Sequence, residues 1–148
     1  MTRRVFVAMA LLLTAALNAA DDSKLVSARI TFSVPQGDEK DAKDEATAVT
    51  VTVKSKADQT LATKERLGAD DVWDDTNEKG FSYDLTVAPG ATRSQIGDGV
   101  AMQLRFHPNG NDIIKFNYHL VLKFEDGQEL TKDGAGIVLS QFKLLYNN

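Results

Sequence analysis

The chain has 148 residues, 17 Lys+Arg against 21 Asp+Glu, a formal charge of -4 and no cysteine. That length suits one domain with a real core. The missing cysteines exclude disulfide scaffolds, zinc-thiolate sites and thiol catalysis, and the acidic balance argues against a nucleic-acid partner.

Residues 1–20 read as a signal peptide. Arg3 and Arg4 are followed by the apolar run Val5 to Leu13, then by the small residues Asn18-Ala19-Ala20 before Asp21. Positive, apolar and small segments in that order mark an export signal. The apolar run falls short of the ~20 residues a bilayer span needs. No second apolar stretch follows, so a mature chain of residues 21–148 is expected to lack a transmembrane segment. Thr2-Arg3-Arg4-Val5-Phe6-Val7 also resembles a twin-arginine signal, with ordinary Sec export as the plainer alternative. Cleavage after Ala20 removes two arginines and no acid, moving the formal charge from -4 to -6. The expected location is secreted or periplasmic, in a bacterial setting.

Alternation then takes over. Ala28, Ile30, Phe32 and Val34 share one parity, as do Val49, Val51 and Val53. Leu61 to Leu67 is strand or irregular. Phe81, Tyr83, Leu85 and Val87 form the next run, and Thr92 to Ile96 suits one helical turn. Val100, Met102, Leu104 and Phe106 follow, then the longest run, Ile114 to Phe124. Period-two patterning with Val, Thr, Ile and Phe predicts strands with one buried face. Asp126-Gly127 predicts a type I′ hairpin. Ile137 to Tyr146 closes the chain as an apolar segment of mixed parity, suited to an edge or docking strand. The expected fold is all-β, an antiparallel β-sandwich of seven to eight strands.

Acids concentrate between these strands, with 15 Asp against 6 Glu. One cluster holds Asp38, Glu39, Asp41 and Asp44, interleaved by Lys40 and Lys43. The other holds Asp70, Asp71, Asp74 and Asp75 around Trp73. Should the two loops meet at one end, their carboxylates would suit Ca²⁺, which takes six to eight hard oxygens. A solvated acidic surface is the alternative, with Lys40 and Lys43 neutralising the first cluster from within. Neither cluster has EF-hand spacing. Trp73, the one tryptophan, reads either as a stacking platform for a sugar or protein partner, or as a plug over the core. His107 and His119 match no short metal motif, and no G-x-S-x-G or phosphate loop occurs, so no enzyme is expected.

From Ile30 to about Leu130 the chain resembles the PLAT/C2-like secreted β-sandwich modules. The resemblance rests on the strand Ala28 to Val34 running into Gln36-Gly37-Asp38, the strand Thr47 to Val53, Phe81 to Leu85, and His107 to Asp112 before Lys115 to Tyr118. Those modules often carry Thr-Gly-Asp after the first strand, where Gln36 replaces the Thr here. The resemblance implies a C2/PLAT-like fold and binding of Ca²⁺, lipid surfaces or protein partners, with Asp38 and Asp41 as first-choice ligands. Exposed apolar loop tips for membrane docking are not evident. Two functions are expected from this: a non-catalytic binding module, or a structural or adhesive component of the cell envelope acting through sheet edges.

Overall fold

A computed structural model describes residues 22–37, 43–97 and 99–148. The proposed signal peptide, Asp38, Glu39, Asp41 and Asp98 lie outside the described residues. Eight strands follow one another: β1 (Leu25–Ser33), β2 (Ala48–Ser55), β3 (Thr60–Leu67), β4 (Phe81–Val87), β5 (Val100–His107), β6 (Ile113–Phe124), β7 (Glu129–Ser140) and β8 (Leu145–Asn147). One 3₁₀ turn, Arg93–Gln95, links β4 to β5, where a helical turn was expected. No helix among the described residues is long and apolar enough to cross a membrane.

All pairings are antiparallel, and the strands form one sheet in the order β7-β6-β1-β4-β3-β2-β5-β8. The all-β expectation is therefore met, but the architecture is nearly closed and barrel-like rather than two separate sheets. The cause is the pairing of β3 with β4 at Ala62↔Val87 and Thr63↔Thr86. That narrow seam joins the half β7-β6-β1-β4 to the half β3-β2-β5-β8. On the far side the edges β7 and β8 stay apart. They are spanned by the Lys132 ammonium donating to the Val100 carbonyl at 3.0 Å and by the Tyr118 and Tyr146 rings, 6.4 Å apart.

Period two decides the interior. Every second residue of β6 from Ile114 to Phe124 is buried, as are Val49, Val51 and Val53 of β2 and Val100, Met102, Leu104 and Phe106 of β5. Large apolar side chains from both halves thus meet in one core. At ~1.5–3 kcal/mol for each fully buried aliphatic or aromatic side chain, this burial dominates the favourable side of folding.

Two local expectations change. The β6–β7 hairpin is not type I′, which needs positive φ at both central residues. Only Gly127 has it, at φ 81°, and Gly127 N–H donates to Phe124 O at 2.9 Å while Phe124 N–H donates to Gln128 O at 2.9 Å. This is a three-residue loop, a type I turn closed by glycine. The apolar stretch 137–146 is also not one strand. It ends β7, turns where Ser140 and Lys143 exchange backbone hydrogen bonds, and resumes as β8 on the edge of β5.

Candidate functional site

The two acidic loops meet. Lys43 and Trp73 exchange backbone hydrogen bonds at 3.0 Å in each direction, and Ala46 N–H donates to Ala69 O at 2.8 Å. Gly37 N–H donates to the Asp75 carboxylate at 2.9 Å, and Asp44 N–H reaches the Asp112 carboxylate at 3.3 Å. Three connections therefore converge at one end of the barrel: β1–β2, β3–β4, and the β5–β6 connection that carries Asp112.

A cation sits at their junction, and it belongs to the chain. The Lys43 side chain is fully buried. Its ammonium donates to the carbonyls of Asp44 at 2.8 Å, Thr47 at 2.9 Å and Gly68 at 2.6 Å, and to that of Asp71. The ammonium also lies 5.3 Å from the Trp73 ring centroid, a cation–π distance. Burial pushes the Lys43 ammonium below its ordinary value, while the carboxylates of Asp71, Asp112, Asp44 and Asp70 pull the other way. An ammonium has three donors and no acceptor, so one N–H is shared among the four carbonyls, and loss of the proton would leave only two donors for them.

Trp73 locks the same junction from its other side. It is fully buried, stacked on Phe32 with centroids 4.5 Å apart and on Phe81 at 5.9 Å. Its indole N–H donates to the Tyr83 hydroxyl at 2.8 Å, which donates to the Asp71 carboxylate at 2.6 Å. Burial pushes the Tyr83 hydroxyl well above its ordinary value, with the Asp71 bond acting in the same direction. Gly68 is required here. It has φ 70°, and a Cβ on it would lie 2.8 Å from the Trp73 ring. With both faces covered, Trp73 offers no stacking platform; it is the plug of the alternative reading.

The carboxylates that remain fare differently as ligands. Asp71 is engaged with Tyr83, Asp74 accepts from Thr76 N–H and Oγ1, and Asp75 accepts from Gly37. Asp44 and Asp70 are exposed. No group of three or more metal-ligating side chains gathers among the described residues. At the junction itself the inward oxygens are backbone carbonyls, and they are taken by the Lys43 ammonium. Asp38, Glu39 and Asp41 lie in the stretch 38–42, outside the described residues, whose flanks Gly37 and Lys43 are tied to Asp75 and Trp73.

Sequence reasoning placed Lys43 among neutralising charges but missed its burial. The available signal was a lysine five residues before a strand, followed by the small residues Thr47 and, across the junction, Gly68. Comparison of the chain with family models, with curated proteins and with solved structures gives no match.

Proposed function

We propose that the chain is an exported, non-catalytic β-barrel module that binds a protein or carbohydrate partner through the end where its two Asp-rich loops meet. The observation that carries this is the locked junction: Lys43 and Trp73 fix the loops, leaving Asp44 and Asp70 exposed around a rigid base. Loops held by a rigid scaffold are where binding groups concentrate. Support for export comes from the order of charges and apolar residues in 1–20, and the resemblance to PLAT/C2-like sandwich modules supports a partner-binding class. A non-catalytic role is supported by the surface setting of the His119–Asp133 pair, which is exposed on both sides.

Ca²⁺ held at this end would draw on Asp38, Glu39 and Asp41 together with Asp74 and Asp75. Calorimetric titration tests the ion: no heat and no rise in melting temperature at millimolar Ca²⁺ removes it from the function. For the partner, immobilised wild-type chain is compared with the D44N/D70N variant on envelope extract. A partner retained by the wild type and lost by the variant supports the reading; identical recovery refutes it.

A second reading has its own observation. Phe142 is 90% exposed, and Ile113, Val138, Leu144 and Leu145 are also exposed beside the free edge of β8. This favours a structural or adhesive component acting through protein–protein contacts at that edge. Monomeric behaviour at high concentration and in envelope extracts would exclude it.

A further inference from the structure

The outer face of β3, β2 and β5 carries a different chemistry. Thr50, Thr52, Glu65, Arg66, Gln103, Arg105 and His107 line a shallow depression of about 350 Å³. Register explains the grouping: Thr50 pairs with Arg105 and Thr52 with Gln103, so these outward side chains stand side by side. His107 is two residues beyond Arg105 on the same face.

Arg66 is brought in by a distortion. Between Val49↔Leu67 and Val51↔Lys64, β3 carries one residue more than β2, a bulge. Arg66 sits in it at φ 50°, a left-handed conformation that a non-glycine side chain seldom adopts. The bulged Arg66 N–H donates to Thr50 Oγ1 at 3.2 Å, and Thr50 Oγ1 also meets His107 Nε2 at 2.9 Å. Whichever of Thr50 and His107 donates in that contact, one hydrogen is left over. It is His107 Nδ1–H when the Thr hydroxyl donates, and the Thr50 O–H when His107 Nε2–H donates. Among the described residues neither the Arg66 nor the Arg105 guanidinium has an ion-pair or side-chain hydrogen-bond partner. Two free guanidinium forks, a spare donor and one opposing carboxylate, Glu65, leave this face one positive charge on an otherwise acidic chain. Strain held at a residue whose side chain has no partner among the described residues points to a use outside them.

We propose that this face is a binding site for a single carboxylate group, taken between Arg66 and Arg105 with Thr50 and His107 as neighbouring donors. A guanidinium fork matches a planar carboxylate in two parallel hydrogen bonds, and one carboxylate balances the net charge of the face. The site is separate from the loop junction and does not depend on the reading proposed for it.

The test is an NMR titration of the full chain with acetate, with glucuronate and with sulfate. Saturable shifts are expected at Thr50, Arg66, Arg105 and His107 with both carboxylates. Glucuronate binding more tightly than acetate identifies a saccharide source of the carboxylate; equal affinity identifies a free small acid. The R105Q variant is expected to bind at least tenfold more weakly. The R66G variant is expected to lose binding likewise while melting no lower than wild type, because glycine relieves the left-handed strain. The proposal is overturned by the absence of saturable shifts at 100 mM acetate, by undiminished binding in R105Q, or by sulfate binding as tightly as the carboxylates.

Discussion

Replacing Lys43 by Met tests the internal cation most directly. Methionine keeps an unbranched apolar stem of similar length and removes the ammonium, so the change isolates the charge. Four carbonyls lose their donor: those of Thr47 and Gly68 are buried, those of Asp44 and Asp71 partly so. A buried acceptor left unsatisfied costs about 1–3 kcal/mol. Two of them, plus part of the cost for the other two, and less the ammonium desolvation that the variant avoids, come to about 4 kcal/mol. With a urea m-value of about 2 kcal/mol per M, the unfolding midpoint should fall by about 2 M. Trp73, the one tryptophan, touches the site and reports the transition by its fluorescence. The exposed Lys56→Met change is the control and should leave the midpoint in place. A K43M midpoint within 0.5 M of wild type, roughly 1 kcal/mol at that slope, would show that water satisfies the carbonyls and that the ammonium does not hold the loops.

Three other outcomes follow from the same geometry. Gly68→Ala should destabilise by about 2–4 kcal/mol, the sum of left-handed strain and overpacking against Trp73. Gly37→Ala, at φ 83° with open space around it, should cost only the strain, about 1 kcal/mol, and equal losses in the two variants would refute the steric account. Tyr83→Phe breaks the relay from the Trp73 indole to Asp71 and should cost about 1–3 kcal/mol in chemical denaturation; no change would show that Trp73 N–H finds another acceptor. His107 should titrate below the ordinary histidine value, because burial and then the nearby Arg66 and Arg105 charges disfavour its imidazolium, with Glu65 opposing them. The unfolded chain then binds the proton more readily than the folded one. Stability is therefore complete above the unfolded value near 6.5 and declines as pH falls from there toward the folded value. Histidine-resolved NMR and melting temperatures between pH 7.5 and 5 check this, and a His107 midpoint at or above the ordinary value would contradict it.

Much of the barrel was legible because alternation is a strong signal. The β6 run from Ile114 to Phe124 announced its buried face residue by residue, and so did Val49, Val51 and Val53. Closure was not legible. Whether two half-sheets stay separate depends on two backbone pairings between β3 and β4, and Leu61 to Leu67 alternates poorly because the bulge at Arg66 interrupts its period. The meeting of the acidic loops was foreseeable as a possibility, since barrel and sandwich loops gather at ends. Lys43 was not, because a lysine in an acidic run looks solvated until the chain wraps carbonyls around it. Trp73 offered no means of choosing between platform and plug, since the choice rests on Phe32 and Phe81, which come from distant strands. The outer Arg66–Arg105 face was hidden for a related reason: its members are 39 positions apart and become neighbours only through the register of β2 with both flanking strands.

The seam between β3 and β4 has a mechanical consequence. Between the two halves of the barrel the ladder narrows to Ala62↔Val87, Thr63↔Thr86 and the bond from Ala88 N–H to Leu61 O at 2.8 Å. Across the barrel, the β7 and β8 edges are unpaired among the described residues, and side chains span the gap: Lys132 of β7 reaches Val100 of β5, and Tyr118 of β6 meets Tyr146 of β8. A tube with one thin line of stitching opposite an unsewn slit opens like a clamshell, each half moving as a stiff leaf. Under tension or heat the leaves should part at these lines while the ladders within each leaf persist, so the amide protons of Thr63 and Ala88, which face the seam, would exchange ahead of those in the middle of β6.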